Sequence, residues 1–152
     1  MYEDKSSPEK GINGYYVTDP MNFTPRKVNI GIDICTFRRE EYVARNLKQL
    51  KEKILSNSNL NVSNHIGIYI IDNGQTLQDC KAVQLIVREC NDKVTVVPNM
   101  NAGGAGGFSR GMIEILKKRD LEDFTHILLM DDDAIVEPDL LCLLYTSDAA
   151  DE

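Results

Sequence analysis

VNIGIDICTF, residues Val28 to Phe37, is a largely apolar run that is rich in β-branched side chains. A run of this kind is typical of a strand that is buried on both faces of a parallel sheet. A helix is predicted directly after it, from Glu40 to about Ser56, because apolar side chains recur there at helical spacing. The chain therefore starts its core with a strand and a helical crossover.

The same alternation continues along the chain. Further buried strands are predicted at residues 66–71 (IGIYII), 94–97 and 125–130 (THILLM). Helices are expected over residues 76–90 and from about 106 to 119, and Glu137-Pro138-Asp139 is typical of the first turn of another helix. This order of elements predicts an α/β fold with a doubly wound, mostly parallel sheet.

The composition is that of a globular protein with an acidic balance. Of the 152 residues, 27% are charged and 42% are hydrophobic, and 24 acidic against 17 basic side chains give a net charge of −7. The acidic balance disfavours nucleic acid as a partner. The four cysteines show no C-x-x-C spacing, which favours free thiols in a reducing compartment.

Asp131-Asp132-Asp133 directly follow the last predicted strand. Adjacent carboxylates repel one another, and a divalent cation removes that cost. Extended backbone would place Asp131 and Asp133 on one side and Asp132 on the other. Oxygen ligands so arranged suit Mg²⁺ or Mn²⁺, which can also hold a diphosphate. The alternative interpretation is a solvated acidic turn before the next helix.

The second candidate is the glycine-rich stretch NAGGAGGFSRG, residues 101–111. Glycines let the backbone approach a ligand closely, and a helix N-terminus behind them favours an anion. The stretch is not a P-loop, because no Gly-Lys-Ser/Thr follows, and Ser109 stands where a dinucleotide fingerprint needs its third glycine. The alternative is a tight turn that binds nothing.

Two weaker candidates follow the first two strands. Thr36 to Arg39 includes two arginines that could clamp a phosphate or pair with neighbouring glutamates, and Asp72-Asn73-Gly74 is also ordinary turn chemistry. All four candidate segments follow predicted parallel strands, at whose carboxyl ends ligands bind. Their convergence predicts a binding site at that edge of the sheet.

Four stretches together resemble the family 2 glycosyltransferases of GT-A fold: ICTFRRE, IIDNG, NMNAGGAGGFSRGM and HILLMDDDAIVEPDLL. The glycine-rich stretch combined with DDD is closest to the galactofuranosyltransferases, which use UDP-galactofuranose. The resemblance covers about residues 28–141. It implies the N-terminal part of a donor-binding domain that takes a UDP-sugar, with Mn²⁺ or Mg²⁺, for transfer to a glycan acceptor.

The resemblance also implies roles for individual residues. Donor binding falls on Thr36, Arg39, Asp72, Asn101, Gly103, Gly104, Arg110 and Asp132. Arg39 matches the arginine of the family's T-F-x-R element, Asp72 would receive the uracil edge, and Asp132 would lie nearer the ribose or sugar. Asp131 and Asp133 would hold the metal. The catalytic base and a further metal ligand are expected downstream of residue 152, so we expect this chain by itself not to transfer sugar.

Three segments are expected. Residues 1–27 are the end of an upstream region or an irregular apron, and residues 28–141 are the donor-binding domain. Residues 142–152 resemble a translated sequencing adapter, so we expect the authentic coding sequence to end near Leu141. A cytoplasmic location is expected, with peripheral association of the full-length protein at the inner face of the membrane left open. The alternative functions are an NAD-type dinucleotide-binding oxidoreductase domain and a non-catalytic nucleotide-binding module.

Overall fold

A computed structural model of the chain describes residues 27–57, 60–118 and 122–147. Its strands are β1 (Ile30–Thr36), β2 (Ile66–Asp72), β3 (Val94–Pro98) and β4 (His126–Asp131). Its α-helices are α1 (Glu40–Leu50), α2 (Lys81–Glu89), α3 (Gly103–Lys117) and α4 (Pro138–Ser147). Short π-helical (Lys51–Leu55) and 3₁₀ segments (Asn61–His65, Leu77–Asp79, Asn91–Lys93) lie between them.

The four strands form one parallel sheet in the order β3-β2-β1-β4. The chain adds β2 and β3 on one side of β1 and then crosses over to add β4 on the other side. β1 and β4 therefore flank the topological switch point, where open α/β sheets bind ligands. The prediction of a doubly wound parallel sheet is confirmed.

Helices cover both faces of the sheet. On one face, Ile32 and Ile34 of β1 belong to the main core, together with Leu47 of α1, Val83 of α2 and Leu141 of α4. On the other face α3 packs over β1 and β2, and a smaller apolar cluster is formed by Tyr69, Ile115 and Phe124. This two-sided burial explains why β1 and β2 are largely apolar. β4, predicted as a buried strand, lies at the edge of the four-stranded sheet, and most of its residues are exposed or half-buried.

Three helix boundaries differ from the predicted ones. α2 begins at Lys81 rather than at residue 76, after the short 3₁₀ segment Leu77–Asp79. α1 ends at Leu50 and continues as a π-helical segment, so the helical region reaches Leu55 in a different winding. α3 begins at Gly103 rather than at about residue 106, because the glycine-rich stretch forms its first turns instead of a loop.

Of the two predicted segment boundaries, the one after Leu141 lies well inside the described residues. Residues 1–26 and 148–152 lie outside the described residues. The predicted boundary after Leu141 falls inside α4, and half-buried Cys142 packs against the main core. The non-native origin of residues 142–152 stays a prediction. Within the described ranges, none of the helices combines the length and hydropathy that crossing a bilayer would require.

Candidate functional site

The switch point brings two of the predicted segments together. β1 pairs with β4 so that Cys35 lies opposite Asp131, and the segments that follow the two strands leave the sheet at the same edge. Thr36–Arg39 and Asp131–Asp133 consequently meet in the crevice between these strands. The convergence expected from sequence is therefore present for these two segments.

Asp132 is the centre of a buried hydrogen-bond network. The residue is 4% exposed. Its Oδ2 accepts a hydrogen bond from the hydroxyl of Thr36 at 2.7 Å, and its Oδ1 lies 2.8 Å from Nη1 of Arg39. The buried Asn46 of α1 donates its side-chain amide to the main-chain carbonyl of Asp132 at 2.5 Å. The network fixes the turn after β4 against β1 and α1.

Arg39 joins Asp132 to its neighbour Asp133. Nη2 of Arg39 donates to Oδ2 of Asp133 at 3.0 Å, and the hydrogen bond with Asp133 is the largest cause that raises the pKa of the guanidinium above its usual value. The guanidinium also lies over the ring of Tyr42, 4.1 Å from its centroid. One arginine therefore pairs with two adjacent carboxylates, and its single positive charge offsets one of their two negative charges.

Asp131 and Asp133 are exposed and Asp132 between them is buried. Asp132 and Asp133 lie in a turn rather than in extended backbone, so the placement of Asp131 and Asp133 on one side stays a prediction. Among the residues that the structure describes, no three acidic, histidine or cysteine side chains gather closely enough to hold a metal ion. Mg²⁺ is often held by one or two carboxylates together with substrate phosphates. The carboxylates of Asp131 and Asp133 fit a metal site that substrate phosphates complete. They do not fit a site in which the protein supplies every ligand.

Asp72 lies at the end of β2 and stabilises its own turn. Its Oδ1 accepts from the Gly74 amide at 3.1 Å, and its Oδ2 accepts from the Leu77 amide at 2.8 Å. The residue is 2% exposed. Each carboxylate oxygen keeps a second lone pair, but the observed partners give Asp72 a structural role in the turn.

Asn73 connects three segments, a role that the sequence analysis missed. Its side-chain amide donates to the Gly103 carbonyl at 3.1 Å, and its side-chain oxygen accepts from the Asn99 amide at 2.8 Å. Its main-chain amide donates to the Thr36 carbonyl at 2.9 Å. Asn73 thus ties the end of β1 and the residue after β3 to the start of α3, although a turn dipeptide such as Asn-Gly gives no sign of this in sequence.

The glycine-rich stretch has two parts with different surroundings. A side chain at Gly103 or Gly104 would meet nothing within 4 Å, whereas one at Gly107 or Gly111 would collide with β1. The first turn of α3 is therefore open at the carboxyl edge of the sheet, and the later glycines serve close helix–sheet packing. That packing outweighs the weak helix propensity of glycine, which is why a helix stands where the sequence predicted a loop.

The remaining two predicted donor residues lie on or beside α3. The Asn101 side chain accepts from the Gly103 amide at 3.1 Å, which stabilises the start of the helix. Arg110 forms an ion pair with Glu114 at 2.9 Å, and its Nε is buried without a hydrogen-bond partner. Among the described residues, no hydrogen bond or ion pair links Asn101 or Arg110 to the Asp131–Asp133 turn.

Asp33 is a buried carboxylate that the sequence analysis did not single out. It is fully buried in β1 beneath Gly111 of α3, and neither of its oxygens has a hydrogen-bond partner among the described residues. Burial raises its pKa to about 7, although the nearby Met112 amide lowers it in part. Burial, and then the charge of Asp33, also raise the pKa of the Cys35 thiol. The signal in sequence was an acid inside an otherwise apolar strand.

Comparison with known proteins gives two kinds of match. A family model described as glycosyltransferase like family 2 matches residues 25–146, which include all four strands. The chain is similar to galactofuranosyltransferase GlfT2 of Mycobacterium tuberculosis, with 33% identity over 128 residues, 83% of this chain and 18% of that protein. GlfT2 of Mycolicibacterium smegmatis is 30% identical over 127 residues, again 83% of this chain and 18% of the relative. The chain thus spans about a fifth of the length of these curated relatives.

Proposed function

Because this chain belongs to the glycosyltransferase-like family 2, we propose that it forms the donor-binding part of a transferase. The proposed donor is a UDP-sugar, with UDP-galactofuranose as the specific candidate, and the proposed acceptor is a glycan. The candidate sugar rests on the names of the two relatives, both of which are galactofuranosyltransferases. Nucleic acid is not proposed as a partner, in keeping with the net charge of −7.

The observation that carries the proposal is the arrangement at the switch point. Thr36 is the last residue of β1 and Arg39 follows the strand. Asp132 and Asp133 follow β4, and direct contacts of 2.7 to 3.0 Å join the two pairs. The guanidinium of Arg39 lies beside the carboxylates of Asp132 and Asp133. Together they can hold a diphosphate and the divalent cation that accompanies it in one place. Such groups stabilise negative charge on a departing nucleoside diphosphate.

We propose that Asp131 and Asp133 hold Mn²⁺ or Mg²⁺, and that donor phosphates complete the coordination. A bound divalent cation would supply Lewis-acid stabilisation of the charge that develops on the leaving UDP. The chain's own contribution is to present two exposed carboxylates from a turn that Asp132 and Asn46 anchor. Arg39 is proposed to turn from Asp133 toward a phosphate oxygen when the carboxylate is engaged by a cation.

Further donor contacts are proposed at Gly103 and Gly104, at Asp72 and at Arg110. The open first turn of α3 at Gly103 and Gly104 offers space and helix N-terminal amides to an anion. Each carboxylate oxygen of Asp72 already accepts one main-chain amide of its turn. To bind the uracil N3–H, Asp72 would have to use a remaining lone pair. Arg110 would have to exchange its partner Glu114 for the donor. No residue of this chain is proposed as the base that activates the acceptor.

The alternative of a dinucleotide-binding oxidoreductase has less support from the fold. In that class the glycine fingerprint lies between the first strand and the first helix. Here the glycines follow β3. At two of them, Gly107 and Gly111, side chains of β1 occupy the space that a ligand would need. A non-catalytic nucleotide-binding module would use the same crevice, so only turnover by a longer chain separates it from the proposed transferase.

The experiment is calorimetry of the 152-residue chain with UDP, ADP and NAD, each with and without Mn²⁺. We expect UDP to bind best and only its binding to strengthen with the metal. Substituting both Asp131 and Asp133 by Ala should abolish the metal effect while a cooperative melt remains. The matched control is Asp79→Ala with Asp92→Ala, which removes the same charge at two exposed acids. Preference for NAD, or a metal effect that survives in the Asp131 and Asp133 double variant, would contradict the proposal.

A further inference from the structure

We infer that Tyr42 is a positioning residue for the donor site, because its ring holds Arg39 at the point where Arg39 joins Asp132 and Asp133. The inference rests on the proposed function and assigns a role to a residue outside the T-F-x-R and DDD elements. It follows from a stack of three side chains on the first turns of α1.

The stack arises from helical spacing. Arg39 directly precedes α1, and Tyr42 and Arg45 follow at intervals of three residues, a spacing that places side chains on one side of a helix. The guanidinium of Arg39 lies 4.1 Å from the Tyr42 ring centroid, and that of Arg45 lies 5.1 Å away. Both distances are within the range of a cation–π contact. The main-chain amide of Tyr42 also donates to the Arg39 carbonyl at 3.1 Å, which fixes the backbones of the two residues relative to each other.

Two guanidinium groups that share one ring repel each other, so a third group must hold them. Asp133 does so through two different atoms. Its Oδ2 accepts from Arg39 at 3.0 Å, and its main-chain carbonyl accepts from Arg45 at 3.3 Å. The Tyr42 ring and the turn after β4 therefore hold the two arginines together.

The ring matters most when Asp133 is engaged by a divalent cation. Arg39 then loses one of its two carboxylate partners and keeps Asp132 and the Tyr42 ring. An arginine with a single partner regains much of its rotamer freedom, and ordering it again on a phosphate costs binding free energy. The stacked ring removes part of that cost, because the planar guanidinium stays oriented.

Tyr42 can be replaced without opening the core. Its side chain is 40% exposed, whereas the buried face of α1 consists of Val43, Asn46, Leu47 and Leu50. A change in ligand binding on replacement of Tyr42 can therefore be separated from a loss of folding by a thermal melt.

The test measures UDP affinity at saturating Mn²⁺ by calorimetry on the 152-residue chain. Tyr42→Leu is expected to weaken UDP binding about three- to tenfold, the size of one cation–π contact. Tyr42→Phe keeps the ring but removes the hydroxyl, which also interacts with Arg39, so its loss of UDP affinity should be smaller than that of Tyr42→Leu. Tyr42→Leu added to Arg39→Ala should cause no further loss, because the ring acts through Arg39. Glu41→Ala, an exposed neighbour in the same helical turn, is the matched control and should change nothing.

The outcomes separate this inference from the proposed function. Unchanged UDP affinity in Tyr42→Leu, or an equal further loss in the Arg39→Ala background, would overturn the role of Tyr42. If the unmodified chain binds no UDP with Mn²⁺, the proposed function fails, and NMR of the arginine Nε–Hε groups decides on Tyr42 alone. The ring should shift the Arg39 signal upfield in the unmodified chain and in Tyr42→Phe. The shift should vanish in Tyr42→Leu, or in Tyr42→Gln should the leucine variant not fold, and a signal that does not move would overturn the inference.

Discussion

The hydroxyl of Thr36 donates to Oδ2 of Asp132 at 2.7 Å and joins the ends of β1 and β4 across the switch point. The two residues are 2% and 4% exposed, so water cannot replace the bond easily. A hydrogen bond to a charged group contributes about 1.5–3 kcal/mol. The contact therefore stabilises the fold and fixes the turn that presents Asp131 and Asp133.

Thr36→Val should lower the free energy of unfolding by about 1–3 kcal/mol, because it leaves Oδ2 of Asp132 buried without its donor. Urea unfolding at pH 7 measures the loss. The matched control is Thr95→Val, the same substitution at a half-buried position of β3 away from the crevice. The control should change the free energy of unfolding by less than about 0.5 kcal/mol, and equal losses in the two variants would contradict the importance of this bond.

Asp33 should make stability depend on pH. Its pKa in the folded chain is raised to about 7, so the folded state holds a proton that the unfolded state has released. Stability should therefore be greatest below the ordinary aspartate pKa, and fall by up to about 1.4 kcal/mol per pH unit between about pH 4 and pH 7. Above pH 7 this contribution should stay constant at its least favourable value.

Asp33→Asn tests that dependence, because the amide cannot ionise. The free energy of unfolding of the variant, relative to the unmodified chain, should rise from pH 5 to pH 8 in urea titrations. Asp92→Asn, at an exposed position, reports what the same substitution does without burial. A relative stability of Asp33→Asn that is the same at both pH values would show that Asp33 keeps an ordinary pKa in the folded chain.

Much of the fold could be predicted because its signals are local. The run from Val28 to Phe37 is largely apolar and rich in β-branched side chains, and this already indicates a strand covered by helices on two sides. The start of α3 could not be predicted in the same way. Gly107 and Gly111 resemble loop residues in sequence. Their role depends on contact with Cys35 and Asp33 of β1, a strand that is far away along the chain.

The candidate site likewise contains residues that a local sequence signal reveals and residues that it does not. Thr36 and Asp131 to Asp133 could be proposed because each follows an apolar run directly. Asn46 could not, since its partner Asp132 lies 86 residues away. The role of Tyr42 needs both the helical stack and the turn after β4, so no window of sequence contains it.

Asp72→Asn should separate the turn from nucleotide recognition. The amide can accept only one of the two main-chain hydrogen bonds, from Gly74 or Leu77, and the loss should destabilise the fold by about 1.5–3 kcal/mol. If Asp72 also accepts the uracil N3–H, the preference for UDP over ADP should fall in calorimetry. Asp79→Asn, exposed in the same segment, should alter neither quantity. Lost stability with an unchanged UDP preference would assign Asp72 to the turn alone.

Gly111→Ala should be strongly destabilising, because the added Cβ would collide with the buried carboxylate of Asp33. Neither side can yield easily, since α3 is packed on β1 and the carboxylate is fully buried. Overpacking of this kind typically costs about 1–3 kcal/mol, which a thermal melt and urea unfolding both report.

The same substitution at Gly104 is the matched control, because a side chain there would meet nothing within 4 Å. Alanine is a better helix former than glycine by about 0.8–1.0 kcal/mol, so Gly104→Ala should be neutral or stabilising. Shortening the opposing side chain with Asp33→Ala should recover part of the stability lost in Gly111→Ala, since the two substitutions act on one contact and cannot be additive. Two results would contradict close packing of α3 on Asp33. One is a Gly111→Ala variant as stable as Gly104→Ala, and the other is additive losses of stability when Gly111→Ala and Asp33→Ala are combined.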